Sequence, residues 1–88
     1  MSYKVILSAK AQKQIQKLDK TAASLILRYL YKHIDGCDTP RQYGKALTAN
    51  RSGQWRYRIG NYRVIVSIED DKLIVTALEV GHRKEIYK

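Results

Sequence analysis

The spacing of apolar residues changes once along this chain, from a period close to that of a helix to a period of two. Ala11, Ile15 and Leu18 recur at the spacing of one helix face. A second helical repeat follows, formed by Leu25, Ile26, Leu30 and Ile34. From about residue 54 onward, apolar and polar residues alternate, as they do in strands with one buried face. The pattern therefore predicts two helices followed by several strands.

Capping and turn residues place the boundaries of the first elements. The β-branched run Tyr3–Ser8 predicts a first strand, and Ser8 is suited to cap the first helix. Either Asp19 or Thr21 opens the second helix, which should extend to about residue 35. Gly36 is the expected stop. The short link between the helices predicts an antiparallel helical hairpin.

The rest of the chain reads as a loop followed by a meander of strands. Gly36–Lys45 contains glycine and proline and predicts a surface loop, after which Ala46 and Leu47 should return toward the core. The following strands are predicted at about 54–59, 62–69 and 72–80, with turns at Gly60-Asn61 and Asp70-Asp71 and a short terminal strand or turn over Arg83–Tyr87.

The order β-α-α-β-β-β predicts the fold class α+β. The N-terminal strand and two-helix hairpin should pack on an antiparallel β-sheet. A chain of 88 residues can bury one modest core, so we expect a single domain spanning residues 1–88.

Charge narrows the class of partner. Seventeen Lys and Arg against eight Asp and Glu give a formal charge of +9, shared by both halves of the chain. Such an excess favours a polyanion, with nucleic acid first and an acidic protein second. The lone Cys37 cannot form an internal disulfide, and no apolar run reaches the length of a membrane span. We therefore expect a cytoplasmic protein without membrane contact.

The segment "WRYRIGNYRVIV", residues 55–66, predicts a two-faced hairpin. With Gly60-Asn61 as its turn, Arg58 lies directly across from Arg63. One face is apolar and should be buried under the helices: Trp55, Tyr57, Ile59, Tyr62, Val64 and Val66.

The other face of this hairpin groups Arg56, Arg58 and Arg63, with no carboxylate expected among them. Like charges directly opposite each other destabilise a sheet, and a bound anion would relieve the repulsion. Because guanidinium groups present forked donors to phosphate, the three arginines predict a phosphate-binding platform. Lys45, just before these strands, is a further candidate for RNA or phosphate binding.

The C-terminal third carries a family resemblance. The stretch "YRVIVSIEDDKLIVTALEVGHRKEIY", after a W-x-Y-R-I strand and a helical hairpin, resembles the RelE family of bacterial toxin–antitoxin systems. The resemblance covers essentially the whole chain, and its most specific part is V-G-H-R followed by a near-terminal tyrosine.

This resemblance implies a toxin that inhibits translation as a ribosome-dependent mRNA endoribonuclease. Such enzymes cut mRNA in the ribosomal A site through attack of a ribose 2′-hydroxyl on the adjacent phosphate. They use no metal or other cofactor, and a cognate antitoxin protein holds them inactive. By position, Arg63 and Arg83 match the family's active-site arginines and Tyr87 matches its near-terminal tyrosine. Arg56 and Arg58 fall on two basic positions that are lysines in the best-known member.

The identity of the general base stays open between two residues. Arginine effectively cannot lose its proton, so the arginines are restricted to stabilising charge and holding the backbone. The resemblance favours Tyr87 as the base, whereas the residue types alone favour His82, whose usual pKa suits the role. Arg83 is the candidate for stabilising or protonating the leaving group, and Arg63 for binding the scissile phosphate.

A second hypothesis places the same fold in a different functional class. ParE proteins resemble RelE but act by binding DNA gyrase without catalysis. They generally lack the full Arg/Arg/Tyr set, whereas this chain has Arg63, Arg83 and Tyr87. The sequence therefore favours the nuclease.

Overall fold

The computed structural model describes residues 2–82, so the predicted terminal element over Arg83–Tyr87 lies outside the described residues. The α+β class is confirmed, and the predicted helices and strands occur in the predicted order within this range, with one further short strand, Lys45–Ala46, that the sequence pattern did not predict. The elements are β1 (Lys4–Leu7), α1 (Ala9–Gln16), α2 (Lys20–Tyr29), β2 (Lys45–Ala46), β3 (Trp55–Ile59), β4 (Tyr62–Glu69) and β5 (Ile74–His82). No helix in this part of the chain is both long enough and apolar enough to cross a membrane.

Side-chain caps begin both helices. Ser8 Oγ accepts a hydrogen bond from the backbone N–H of Ala11 at 3.0 Å, as its position predicts. Of the two candidates for the second cap, Asp19 is the one used, because its Oδ1 accepts from Ala22 N at 2.7 Å. Beyond α2 the helix widens into a π-helical turn over Leu30–Ile34 and ends before Gly36, whose φ of +84° suits a helix stop.

The buried stripe of the second helix is narrower than predicted. Ile26, Leu30 and Ile34 are fully buried, whereas Leu25 is 44% exposed, so the expectation that Leu25 faces the core is wrong. Leu25 lies about 100° around the helix from Ile26, which turns it out of the stripe.

The sheet has five strands in the order β1-β5-β4-β3-β2. Three of its pairings are antiparallel, but β1 pairs with β5 in parallel, with Val5 opposite Val75. A sheet that is antiparallel throughout is therefore not what forms. Two helices and three strands separate β1 from β5 in sequence, so no hairpin turn constrains their relative direction.

Two of the predicted connections differ in detail. Ala46 forms β2 with Lys45 and is exposed, so its expected return to the core is wrong, and only Leu47 is partly buried. This short strand pairs with β3 on one side only, at the edge of the sheet, where there is no core to enter. The turn after β4 takes four residues, 70–73, with Leu73 at a φ of +55°, so β5 begins later than expected.

Two aromatic donors of β3 fix the loop that leads into β2. Trp55 Nε1 donates to the carbonyl oxygen of Tyr43, and the hydroxyl of Tyr57 donates to that of Pro40, both at 2.6 Å. Gly44 allows the close approach: its φ is +81°, and a Cβ there would overlap the carbonyl oxygen of Arg56. The loop thus delivers β2 to the edge of β3.

Candidate nucleic-acid interface

The predicted register of the β3–β4 hairpin is confirmed at all five positions, including Arg58 opposite Arg63. A two-residue turn sets this register, with Gly60 at a φ of +60° as its first central residue. The predicted apolar face is also confirmed: Tyr57, Ile59, Val64 and Val66 are buried, and Trp55 and Tyr62 pack against the core.

The opposite side of the sheet carries a cluster of cations drawn from three strands. Lys45 of β2 lies opposite Arg56 of β3, and Arg58 of β3 lies opposite Arg63 of β4. Directly opposed residues project to the same side of a sheet, and residues two apart on one strand share a side. Lys45, Arg56, Arg58 and Arg63 therefore lie together on the face turned away from the helices, which we call the basic face. The structure thus groups all four predicted phosphate-binding candidates that it describes.

Exposure differs greatly across the basic face. Arg58 is exposed and Arg56 half-buried, whereas Arg63 is only 7% exposed. The Nε and Nη1 atoms of Arg63 and the Nε atom of Arg56 are shielded from solvent. Water screens these guanidinium groups less than it screens a surface charge, which strengthens their attraction for an anion. The face is therefore a partly desolvated site rather than an open, fully solvated platform.

A carboxylate also lies on this side of the sheet, on β5, next to the two strands that carry the three arginines. Glu79 of β5 is the cross-strand neighbour of Ile65, which in turn lies opposite Arg56. Its two oxygens are held by different cations: Lys10 Nζ is 3.3 Å from Oε1 and Arg51 Nη2 is 2.7 Å from Oε2.

The environment of Glu79 keeps it ionised. Its burial acts to raise its pKa, but the hydrogen bonds from Arg51 and Lys10 outweigh that effect and hold the pKa below its ordinary value. Sequence reasoning missed both Arg51 and Glu79. For Glu79 a signal was available, because its apolar neighbours Leu78 and Val80 mark it as the outward residue of a strand.

The structure separates His82 from the basic face. His82 is the cross-strand partner of Tyr62, and their rings meet edge to face with centroids 5.7 Å apart. Tyr62 packs against the core on the helix side, whereas the partner of Arg63 is Gly81. His82 and Arg63 therefore project to opposite sides of the sheet. The other two catalytic candidates, Arg83 and Tyr87, lie outside the described residues.

Helix α1 runs along the C-terminal part of β5 and places further lysines beside it. Gln14 Oε1 accepts a hydrogen bond from the backbone N–H of Val80 at 2.6 Å, which satisfies a donor beyond the end of the β1 pairing. Lys10, Lys13 and Lys17 line a shallow depression beside this contact.

The chemistry open to this arrangement is the binding of anions and the stabilisation of charge that develops on them. Among residues 2–82, no three His, Cys, Asp or Glu side chains are grouped so that they could hold a metal ion. Forked guanidinium donors on a rigid sheet suit phosphate oxygens. A phosphate seated at Arg63 would meet the further cations Arg56 and Arg58 on the neighbouring strand β3.

Comparison with known proteins identifies the family. A family model for the ParE toxin of the type II toxin–antitoxin system parDE matches residues 5–87. The chain belongs to this toxin family.

Its relatives place the toxin among RelE-like proteins. The toxin is 27% identical to Toxin RelG of Mycobacterium tuberculosis over 88 residues, which are 100% of this chain and 99% of RelG. It is 26% identical to Toxin RelE of the same organism over 86 residues, 98% of this chain and 87% of that protein. A chain in the crystal structure of the toxin–antitoxin complex RelBE2 from M. tuberculosis matches with a TM-score of 0.85 and 25% identity, covering 94% of this chain and 100% of that one. The predicted membership of the RelE/ParE-like toxins is confirmed.

Proposed function

We propose that this toxin is a ribosome-dependent mRNA endoribonuclease that inhibits translation in the cytoplasm by cutting mRNA in the ribosomal A site. The observation that carries the proposal is the pair Arg58 and Arg63, opposed across β3 and β4 on one face with Arg56 and Lys45. Similarity over the whole chain to Toxin RelG supports the same class.

The proposed reaction is an intramolecular transesterification at one phosphodiester of the RNA backbone. The 2′-oxygen of one ribose attacks the adjacent phosphorus, a P–O2′ bond forms and the P–O5′ bond breaks. The products are a 2′,3′-cyclic phosphate and a free 5′-hydroxyl. A base takes the proton of the 2′-hydroxyl, and the departing 5′-oxygen receives a proton. Negative charge builds up on the phosphate oxygens in between, and guanidinium groups can stabilise it without a metal ion or another cofactor.

The buried Arg63 is the residue proposed to bind the scissile phosphate, because its low exposure makes its charge most effective there. Arg56, Arg58 and Lys45 then hold the flanking backbone. Arg83 is proposed to stabilise or protonate the leaving oxygen.

The proposed general base is Tyr87 rather than His82. The ring of His82 lies against Tyr62 on the helix side of the sheet, away from Arg63. A phenol near several guanidinium groups would have its pKa lowered toward the range that a base needs.

We also propose that a cognate antitoxin protein neutralises this toxin. A charge of +9 favours an acidic or amphipathic partner, and the matched RelBE2 structure is a toxin–antitoxin complex. Co-expression with the antitoxin should restore growth of cells that the toxin arrests.

Induced expression followed by primer extension on a reporter mRNA tests the nuclease. Wild-type toxin should produce breaks inside translated codons. Arg58→Ala should reduce them about 10- to 100-fold, since a charged hydrogen bond contributes about 1.5–3 kcal/mol. Arg58 is exposed, so this change should leave the fold intact. Arg28→Ala, which removes an exposed arginine of α2, should cleave like the wild type.

The alternative to exclude is a toxin that binds gyrase without catalysis, because the matching family model is described as a ParE toxin. This alternative predicts a different result in the same cells. Growth arrest with intact mRNA and inhibited gyrase would overturn the nuclease proposal. Codon-internal breaks that depend on Arg58 would exclude a purely non-catalytic toxin.

A further inference from the structure

Arg51 reaches the basic face from an unexpected place in the chain. Arg51 ends a short 3-10 turn, Ala49–Arg51, in the loop between β2 and β3, the two strands at one edge of the sheet. Its guanidinium nevertheless contacts Glu79 of β5, which is separated from β3 by β4. The loop therefore folds back over the sheet on the side that carries Arg56 and Arg63.

Two contacts fix the orientation of the Arg51 side chain. Nη2 is bound by Glu79 Oε2 at 2.7 Å, and Nη1 makes a longer contact of 3.5 Å with Gln54 Oε1. The side chain is still 37% exposed. A guanidinium has five N–H donors, so these two contacts leave others available to a ligand. Arg51 is thus a cation that is both oriented and accessible.

Glu79 is the less exposed member of the pair, with 18% of its side chain accessible. It lies between Arg51 and Lys10, so its single negative charge offsets only part of the two positive ones. A carboxylate on an RNA-binding face would by itself repel phosphate. Glu79 instead holds the long Arg51 side chain in one orientation, so that Arg51 loses little rotational freedom when a ligand binds.

We propose that Arg51 is an additional phosphate-binding residue of the basic face and that Glu79 is the residue that positions it. The ligand is the backbone of single-stranded RNA. This choice of ligand rests on the proposed function, whereas the pairing of Arg51 with Glu79 does not. Arg51 would extend the phosphate track from β3 and β4 toward β5.

Salt dependence of binding tests the part played by Arg51. The probe is a short single-stranded RNA with 2′-O-methyl groups, which cannot be cut, and fluorescence anisotropy gives its affinity for the purified full chain at several salt concentrations. Each phosphate contact contributes about 0.7 to the slope of log affinity against log salt for a single strand. Arg51→Gln should lower the slope by about 0.7 and the affinity on the order of fivefold at 0.1 M salt. Arg28→Gln removes the same charge from α2 and should change the slope by much less.

A double-mutant cycle tests whether Glu79 positions Arg51. The deciding result is whether Glu79→Ala weakens or strengthens RNA binding in each background. Glu79→Ala should weaken binding in the wild-type background, because Arg51 loses its anchor. In the Arg51→Gln background the same change should strengthen binding, because only repulsion by the carboxylate remains. Glu69→Ala removes an exposed carboxylate that pairs with Lys72, and it should strengthen binding slightly in both backgrounds.

Each outcome bears on the inference separately from the nuclease proposal. If Glu79→Ala strengthens binding in the wild-type background as Glu69→Ala does, Glu79 does not position Arg51. If Arg51→Gln matches Arg28→Gln, Arg51 does not bind phosphate, even if the wild type cuts mRNA. If the wild type cuts no mRNA but the slope still depends on Arg51, the nuclease proposal fails and the phosphate site stands. A wild-type chain that does not bind the probe even at low salt would overturn the site itself.

Discussion

Removing one oxygen atom from the core should measurably destabilise this fold. The hydroxyl of Tyr57 donates a 2.6 Å hydrogen bond to the carbonyl oxygen of Pro40, and the two residues are 17 positions apart. Tyr57 has no exposed surface and Pro40 is also buried. Burial strongly raises the pKa of Tyr57, so its hydroxyl remains a protonated donor across the physiological range. Tyr57→Phe keeps the ring and deletes only this donor.

The size of the effect follows from the fate of the carbonyl group. In the variant, Pro40 keeps a buried acceptor that has lost its donor, and a buried polar group left without a hydrogen bond costs about 1–3 kcal/mol. For a domain of this size, each kcal/mol corresponds to a shift of about 4–8 °C in melting temperature. We therefore expect Tyr57→Phe to melt at least about 4 °C below the wild type.

Thermal unfolding followed by circular dichroism, with urea unfolding beside it, measures this change. The matched control is Tyr31→Phe, since Tyr31 is 49% exposed and should shift the free energy of unfolding by less than about 0.5 kcal/mol. The urea slope should be equal in both variants, because neither changes the surface exposed on unfolding. Equal melting temperatures for Tyr57→Phe and Tyr31→Phe would refute the reasoning, and would mean that the Pro40 carbonyl is satisfied without Tyr57.

Two further predictions separate close alternatives. Gly44→Ala should destabilise the fold much more than Gly53→Ala in urea unfolding: both glycines have a positive φ, but only at Gly44 would a Cβ overlap the β3 backbone. Equal losses of unfolding free energy in the two variants would mean that the loop at Gly44 can move away from β3 to make room for the Cβ. In single-turnover cleavage on programmed ribosomes, Tyr87→Phe should lower the rate about 10²-fold or more, the scale of a lost general base, and His82→Gln should cost far less. The reverse order of these losses would move the base to His82.

The β3–β4 hairpin, which carries three of the four residues of the basic face, was fully predictable because its information is local. Gly60-Asn61 permits a two-residue turn, and such a turn fixes which residues of β3 and β4 face each other. Alternation then assigns each side chain to a face, so Arg58 and Arg63 could be placed together from the sequence alone.

Features that depend on contacts distant in the sequence were missed. The approach of Arg51 to Glu79 requires a loop to fold back over strands that come later in the chain, and no periodicity encodes that path. The exposure of Ala46 likewise follows from the place of β2 at the edge of the sheet, which only the strand order reveals. The side of the sheet on which His82 lies depends on less. It follows from the pairing of His82 with Tyr62, once the register of β5 on β4 is known.

The parallel pairing of β1 with β5 also has a consequence for the timing of synthesis. Lys4 pairs with Ile74, so β1 cannot join the sheet until β5 has been synthesised. Closing so long a stretch of chain carries an entropic cost that only the completed pairing offsets. The strand next to Arg63 is that same late strand. A growing chain therefore cannot place β5 beside Arg63, or Glu79 beside the basic face, until residues 74–82 have been translated.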